Sequence, residues 1–239
     1  MKIRTFFTLA LSLFIMNQSF TKPIETDSFK ARDGKLITVY FIQHASIYFT
    51  YNGMTIYADP VSYDGVDYKT LPKADIILIT HDHYDHLDAN AIADISTQNT
   101  LVLCNDVVHE TLKTGIVLQN GVQVSFGFDI EVVPAYNTTE GRNIYHPKGR
   151  DNGYIITLGG SRIYIPGDCE VMPEMAQFKD VEVAFLPINQ PYTMTVEQAI
   201  QAAKTLKPKI LYPIHYGDTD LEGLSVLKKA GIEVRVYKM

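Results

Sequence analysis

The residues best suited to chemistry in this sequence form one short run, Thr80-His81-Asp82-His83-Tyr84-Asp85-His86-Leu87. In an extended segment, residues two apart point the same way, so His81, His83 and Asp85 converge while His86 faces a neighbouring point. Imidazole nitrogens and carboxylate oxygens suit zinc first, and then iron, manganese or nickel. The chain has 7 histidines in all, so chance does not readily place three of them in six positions. The run predicts a site for one or two divalent metal ions.

Three further polar residues follow apolar runs elsewhere in the chain. They are Asp59, Asp168 and His215, which come after the runs 54–58, 162–165 and 209–214. Each alone would be typical of a turn or loop residue. Together with the histidine run they place donor groups along one rim of a sheet, where layered α/β folds collect their ligands. A two-metal site requires this pattern.

Short apolar runs separated by turn residues predict the strands and helices that position these side chains. Strands are expected over Leu36 to Ile42, Ser46 to Tyr51, Met54 to Ala58, Asp75 to Thr80, Val122 to Phe126, Ile130 to Val133, Tyr154 to Leu158, Arg162 to Ile165, Val181 to Leu186, Lys209 to Ile214 and Ile232 to Tyr237. Helices are expected over Ala89 to Ile95, Val107 to Lys113, Thr195 to about Leu206 and Leu221 to Lys229, with Asp88, Asn105 or Asp106, Thr195 and Thr219 as caps. Both halves place strands before helices, which predicts an α/β fold with helices on the outer faces of two packed sheets.

Composition indicates a globular protein and disfavours one class of partner. The chain has 239 residues, of which 46% are apolar and 20% charged, and no linker or low-complexity tract divides it. We therefore expect one domain over residues 21–239. The formal net charge is -6, and no cluster of Lys and Arg could neutralise a row of phosphates, so a nucleic-acid partner is disfavoured.

The first twenty residues have the order of a secretory signal peptide. Lys2 and Arg4 precede the uncharged stretch Phe6 to Met16, and a polar run follows, although a clear Ala-x-Ala cleavage site is missing. The apolar stretch is shorter than the roughly 20 residues that cross a bilayer, so no stable membrane anchor is expected. The prediction is an exported protein, periplasmic or secreted, with residues 1–20 removed.

The run from His81 to His86 resembles the His-x-His-x-Asp-His motif of the metallo-β-lactamase superfamily. Asp59, Asp168 and His215 follow that family's order, and the resemblance covers roughly Thr38 to Asp218. The similarity within the superfamily is to small metal-dependent hydrolases related to bacterial lactonases and phosphodiesterases. It is carried by His44-Ala45-Ser46, Gly167-Asp168, Leu186-Pro187-Ile188 and Pro213-Ile214-His215-Tyr216. The resemblance implies a four-layer αββα sandwich with metals at the rim between the sheets.

The resemblance also implies a role for each residue of the motif. The implied ligands are His81 and His83 for the first metal, Asp85, His86 and His215 for the second, and Asp168 as a bridge between the two. Asp59 would hydrogen-bond and orient the histidine loop. His44 would lie near the metals, where it could donate a proton to a leaving group, or it is simply the end of a strand.

Two positions depart from the family's pattern. Where another His is usual, this chain has Asn137, a poor zinc ligand, and the nearest imidazole is His146 in a polar stretch nine residues on. Three alternatives stay open for His146: a ligand of the first metal, a substrate contact, or an exposed residue. Cys169 replaces a small hydroxyl residue beside Asp168 and is expected to be buried and inert, as is Cys104.

Metal-activated water is the only nucleophile that the sequence clearly supplies. A metal pair lowers the pKa of a bound water from about 15.7 to about 7, and Asp85 would orient the resulting nucleophile. The substrate class is a small ester, lactone or phosphodiester, and Arg142, Lys148 and Arg150 could meet an anionic one or simply be solvated. The alternatives are a degenerate metal-binding protein and a di-iron redox protein. The redox protein would need a bound flavin or an electron-transfer domain, and the chain has no room for an extra domain.

Overall fold

The computed structural model describes residues 24–63 and 65–239 of the chain. The predicted signal peptide, residues 1–20, therefore lies outside the described residues. Within those residues, no helix combines the length and the apolar character needed to cross a membrane.

The first half of the chain forms a seven-stranded sheet in which strands adjacent in sequence are adjacent in space. Its strands are β1 (Glu25–Lys30), β2 (Leu36–Gln43), β3 (Ser46–Tyr51), β4 (Met54–Ala58), β5 (Ile76–Leu78), β6 (Leu101–Cys104) and β7 (Ile116–Val117). Pairing is antiparallel from β1 to β4 and parallel from β4 to β7. Asn52 and Gly53 both have positive φ angles, 50° and 82°, as the predicted two-residue hairpin turn requires.

The second half forms another seven-stranded sheet with the same order of pairing. Its strands are β8 (Gln123–Ser125), β9 (Asp129–Ala135), β10 (Asp151–Leu158), β11 (Ser161–Ile165), β12 (Val181–Pro187), β13 (Ile210–Ile214) and β14 (Glu233–Val234). Pairing is antiparallel from β8 to β11 and parallel from β11 to β14. The carboxyl ends of the parallel strands in each sheet therefore lie at one edge, which is where the candidate site residues follow.

Among the described residues, three α-helices and three 3-10 helices cover the outer faces of the sheets. The α-helices are α1 (Ala89–Ile95), α2 (Asp106–Leu112) and α3 (Val196–Leu206), and the 3-10 helices span Tyr68–Thr70, Pro173–Gln177 and Glu222–Ala230. Asp88 caps α1 and Asn105 caps α2 through their side chains, as predicted. Thr195 and Gln198 form the predicted capping box of α3.

The apolar residues form three clusters, one for each interface between four layers. The central cluster lies between the two sheets, where Phe49 of β3 meets Phe185 of β12 at a ring-centroid distance of 5.7 Å. A second cluster packs α1 and α2 on the first sheet, and a third packs α3 on the second sheet. The four-layer αββα sandwich is thus confirmed.

The carboxyl-terminal prediction was wrong in detail. The segment expected as an α-helix capped by Thr219 is the 3-10 helix Glu222–Ala230, and its first turn has no side-chain cap. Gly223, near its start, disfavours an α-helix. The last strand, expected over Ile232 to Tyr237, is only Glu233–Val234. It pairs with Ile210 and Leu211, and Pro213 has no N–H with which to continue the ladder.

Candidate functional site

The candidate site lies where strands of both sheets end. His44, Asp59 and His215 directly follow β2, β4 and β13, and their φ angles are 55°, 45° and 48°. Positive φ is uncommon for residues other than glycine, and such strained positions cluster at functional sites. The backbone N–H of His215 donates to the carbonyl of His44 at 2.8 Å, so the site also joins the two sheets.

Six of the 7 histidines of the chain meet at this edge. They are His44, His81, His83, His86, His146 and His215, and His109 of α2 is the exception. The ring centroids of His81 and His86 are 4.1 Å apart, and those of His44 and His215 are 3.7 Å apart. Imidazole rings this close to one another are stabilised by a metal ion that they share or by carboxylates between them.

One subset, the three-histidine group, consists of His81, His83 and His146. Their donor atoms all lie within 4.8 Å of one another. His81 and His146 are buried, and the Nε2 atom of each has no hydrogen-bond partner among the described residues. Buried polar atoms are normally paired, so these nitrogens are available to a metal.

A second subset, the four-residue group, consists of His44, Asp85, His86 and His215, with donor atoms again within 4.8 Å of one another. The Nε2 atoms of His86 and His215 have no hydrogen-bond partner among the described residues. Nε2 of His44 lies 3.1 Å from Oδ2 of Asp85. His44 thus offers one more donor beside the three residues expected there.

Asp168 lies between the two groups. Its Oδ2 atom is 3.4 Å from Nε2 of His146 and 3.2 Å from Nε2 of His215. Its Oδ1 atom is 3.2 Å from Nε2 of His86 and is buried without a hydrogen bond. A carboxylate in this place can contact an ion in either group.

Asp59 lies behind the donors and hydrogen-bonds to them. Its Oδ2 atom accepts from Nδ1 of His86 at 2.8 Å and from Oγ1 of Thr80 at 2.6 Å, while Oδ1 accepts from the backbone N–H of Thr80 at 2.8 Å. Thr80 Oγ1 is in turn 2.9 Å from Nδ1 of His81. These contacts turn the Nε2 atoms of both histidines toward the site.

His146 reaches the site because a fold in the loop brings it back. It is buried, so the alternative of an exposed residue was wrong. Its Nδ1 atom lies 3.1 Å from Oδ2 of the buried Asp151, which leaves Nε2 facing the other donors. Asn137, in the place where the resemblance expects a histidine, donates its backbone N–H to the carbonyl of His146 at 2.9 Å and Nδ2 to the carbonyl of Tyr192 at 2.7 Å.

The loop that carries His146 is fixed by residues that the sequence analysis missed. The buried Glu170 accepts from the backbone N–H groups of Thr138 and Thr139 at 2.9 and 2.6 Å and from the Arg142 guanidinium at 3.2 Å. Asp151 supports His146 in the same way from the start of β10. Both are acidic residues close in sequence to a predicted donor, which is a weak signal before the structure is known.

The loop cations pair with carboxylates outside the cavity, although the charge of Arg150 acts on His83 and Asp82. Arg142 pairs with Glu170, Lys148 with Glu174 at 2.7 Å, and Arg150 with Asp151 at 2.7 Å. None of the three lines the cavity beside the site. The structure therefore gives no support to direct contact between these cations and an anionic substrate.

Burial and neighbouring charges shift the pKa values of the histidines in opposite directions. Burial holds the pKa of His81 well below its usual value, and it also lowers the pKa of His83 and His44. Burial acts in the same direction on His215, but the Asp168 carboxylate outweighs it and raises the pKa to about 9. For Asp168, burial is outweighed by His215 and His86, so the pKa of this carboxyl stays well below its usual range.

Both cysteines lie away from the donors. Cys169 is fully buried in the cluster between the second sheet and α3, as expected for a residue next to an inward-facing Asp168. Cys104 is fully buried at the end of β6. Neither is part of a group that could hold a metal among the described residues.

Comparison with known proteins agrees with this geometry. The family described as the β-lactamase superfamily domain matches residues 38–215. The chain belongs to the β-lactamase superfamily. It is similar to a metal-dependent hydrolase of Carboxydothermus hydrogenoformans, with 30% identity over 188 residues that cover 74% of this chain and 83% of the relative. Relatives with this description, together with the site, make the protein a metal-dependent hydrolase.

Solved structures of the superfamily share the fold. A crystal structure from Parabacteroides distasonis, described as that of a candidate metal-dependent hydrolase, is 51% identical, has a TM-score of 0.88, and covers 91% of this chain and 100% of its own. The di-iron β-hydroxylase CmlA of Streptomyces venezuelae is 16% identical, with a TM-score of 0.66, over 85% of this chain and 52% of its own. The second likeness concerns the fold alone.

Proposed function

We propose that this protein is a zinc-dependent hydrolase that uses metal-activated water on a small ester, lactone or phosphodiester. The observation that carries the proposal is the convergence of buried imidazole Nε2 atoms around Asp168. Among the described residues, these nitrogens have no hydrogen-bond partner. The proposed ligands are His81, His83 and His146 for one ion, Asp85, His86 and His215 for a second, and Asp168 between them. Zinc is favoured because imidazole and carboxylate donors at this spacing suit it, while manganese, iron and nickel remain compatible with the same donors.

When bound, such ions supply a water molecule of low pKa and stabilise developing negative charge on the substrate. The chain's own residues then handle the proton. Asp85 is placed to orient the attacking water and accept its proton, and His44 lies 3.1 Å from the Asp85 carboxylate. The proton can pass from Asp85 to His44 and on to the leaving group, which completes the hydrolysis.

His146 bears on the alternative of a degenerate, inactive protein. That alternative depended on the absence of a histidine at position 137. His146 lies with His81 and His83 with an unpartnered Nε2 atom, which supports a complete donor set. The di-iron redox alternative is favoured by no specific contact among the described residues.

The export signal belongs to the proposal as well. Lys2, Arg4 and the apolar stretch after them support delivery to the periplasm or the medium, with cleavage after the polar run. Sequencing the amino terminus of the protein recovered from each cell fraction tests this. Recovery of the intact amino terminus from the cytoplasm alone would overturn it.

Hydrolysis assays on metal-loaded protein test the proposed activity. His83→Ala and Asp85→Ala should each abolish turnover of an ester, lactone or phosphodiester panel while circular dichroism stays unchanged, because these side chains are not in the core clusters. His109→Ala, the histidine outside the site, is the matched control and should retain activity. Normal turnover in His83→Ala and Asp85→Ala would contradict the assignment.

A further inference from the structure

The cavity beside the donors limits what the hydrolase can accept. We propose that the substrate is an ester or lactone with an uncharged aromatic substituent, and that Tyr145 and Tyr192 determine this specificity. The inference rests on the proposed hydrolytic function and narrows its substrate class.

The cavity has the size of a small-molecule site. Its volume is about 450 Å³, within the usual range for ligand pockets. The lining residues are Asp82, His83, Tyr84, Asp85, Tyr145, His146, Asp168, Tyr192 and His215. The proposed metal ligands and the tyrosines line the same cavity. When the scissile group of a substrate reaches the ligands, its remaining atoms therefore lie beside the tyrosines.

The charge of the lining opposes a second anionic group on the substrate. Asp85 and Asp168 are proposed metal ligands, so Asp82 is the one carboxylate of the lining that lies outside the donor set, and no Lys or Arg is among the lining residues. Asp82 is outside both donor groups, and its buried Oδ1 atom has no hydrogen-bond partner among the described residues. A substrate carboxylate or phosphate placed away from the metals would meet Asp82 and find no Lys or Arg in the lining to pair with. Arg150, whose charge acts on Asp82, is held by Asp151 outside the lining.

The neighbouring cations are held elsewhere by carboxylates. Arg142 donates to the fully buried Glu170, and Arg150 donates to Asp151 from both Nε and Nη2. Lys148 donates to Glu174 and to the hydroxyl of Tyr136. Moving any of them into the cavity would leave its carboxylate unpaired, and for Glu170 and Asp151 that carboxylate is buried.

Two tyrosines offer the cavity an ordered aromatic wall. The rings of Tyr145 and Tyr192 meet edge to face, with centroids 5.0 Å apart and planes at 72°. Asn137 links their two segments, because its side-chain Nδ2 donates to the carbonyl of Tyr192 and its backbone N–H donates to the carbonyl of His146, the residue after Tyr145. Aromatic rings placed in this way favour a flat apolar group by stacking or edge contact.

The experiment uses esters that release the same alcohol. Methyl phenylacetate is uncharged and aromatic, methyl butyrate is uncharged and aliphatic, and monomethyl succinate carries a carboxylate. We expect kcat/KM for methyl phenylacetate to exceed that for each of the others by about tenfold or more, equivalent to about 1.4 kcal/mol.

Variants of the two tyrosines test whether they cause the preference for the aromatic ester. Tyr145→Ala and Tyr192→Ala should each lower the ratio of kcat/KM for methyl phenylacetate to kcat/KM for methyl butyrate by about two- to tenfold. Ile144→Ala is the matched control, since Ile144 is exposed on the same loop but does not line the cavity. It should leave the ratio of the two esters unchanged.

A binding measurement separates this inference from the proposed function. Saturation-transfer NMR with 4-phenylbutan-2-one, an uncharged aromatic ketone that cannot be hydrolysed, should show binding that Tyr145→Ala/Tyr192→Ala removes. Binding of the ketone without turnover of any ester would contradict the hydrolytic proposal but still support the pocket assignment. Preference for methyl butyrate or monomethyl succinate, or absence of ketone binding, would overturn the pocket assignment.

Discussion

At the scale of single residues, the site depends on side chains that hold other side chains in place. Asp59 is 2% exposed and accepts three hydrogen bonds from Thr80 and His86. The histidine run predicted a metal site, but the expectation that His81, His83 and Asp85 converge was wrong, because a turn closed by the His86 N–H to His83 carbonyl bond places Asp85 with His86. It could not predict that His146 is supported by Asp151, because that contact depends on how the loop folds.

Asp59→Asn tests this support. An amide in this place offers one acceptor oxygen in place of two, so His86 loses part of its orientation. Metal affinity should fall by about 10- to 100-fold, as is usual when the partner of a ligand is removed. Competition titration with a chromogenic chelator measures the change, and Asp129→Asn, at an exposed residue of β9, is the control. Equal affinity in Asp59→Asn and wild type would show that Asp59 does not orient the ligands.

The two thiols give a test of burial. Burial, with a smaller contribution from Asp106, raises the pKa of the Cys104 thiol to about 11, and burial also raises the pKa of Cys169. The reactive thiolate is therefore scarce at pH 8. Iodoacetamide should modify neither cysteine in the folded protein at pH 8 and both in urea, as measured by mass spectrometry. Rapid modification of the folded protein would place a cysteine at the surface or beside a metal.

At the scale of elements, strand ends carry the site, and these were the best predicted parts of the fold. The bounds of β3, β4 and α1 agree with the sequence prediction, because apolar runs and turn residues mark them clearly. β1 was not predicted, since its sequence Glu-Thr-Asp-Ser-Phe-Lys is polar and lies at a sheet edge. Its position is set by pairing with β2, which local pattern does not reveal.

The turn after β11 shows how closely the two sheets approach. Gly167 has a φ of 64°, and a Cβ atom there would lie 2.8 Å from Cβ of Thr80 and 3.0 Å from the carbonyl oxygen of Asn152. Thr80 precedes the histidine run and Gly167 precedes Asp168. The glycine therefore permits the contact that brings donors from both sheets together.

Gly167→Ala should destabilise the protein and displace Asp168. The left-handed backbone costs roughly 1–2 kcal/mol for any other residue, and the collision adds about 1–3 kcal/mol. Gly141→Ala is the matched control, because its φ is 81° and a Cβ atom there would meet nothing within 4 Å. Urea unfolding measures both variants. Equal losses of unfolding free energy in the two variants would contradict a close approach at Gly167.

At the scale of the whole molecule, polar contacts also join the sheets far from the donors. Oδ2 of Asp27 on β1 accepts from the Tyr212 hydroxyl of β13 at 2.8 Å and from Nη1 of Arg235 at 2.9 Å. Burial alone would raise the pKa of Asp27, but these hydrogen bonds outweigh it and lower the pKa. A carboxyl with a lowered folded-state pKa stabilises the fold above its unfolded pKa and loses this effect as the pH falls through the folded value.

Asp27→Asn should therefore lower the melting temperature at pH 7, and the difference from wild type should shrink as the pH falls below about 4. Glu233→Gln is the control, since Glu233 binds the same Arg235 but its side chain is 60% exposed. Scanning calorimetry across pH 3 to 7 measures the three proteins. A difference that grows on acidification would contradict the assigned role of Asp27.

The two halves of the molecule have the same order of antiparallel and parallel strands, and each supplies donors from its strand ends. The sequence predicted the layers and most donors, because hydrophobic runs and the histidine spacing are local signals. It did not predict the paired loop cations or the tyrosine wall, because these depend on contacts between segments distant in sequence, such as Arg142 with Glu170.

Elemental analysis of protein purified without added metal tests the central claim most directly. Wild type should contain about one to two equivalents of zinc or another divalent transition metal per chain. His146→Ala should lose one equivalent from the three-histidine group, whereas His109→Ala should lose none. Wild-type protein without stoichiometric metal, even after incubation with zinc, would contradict the claim that these side chains form a metal centre.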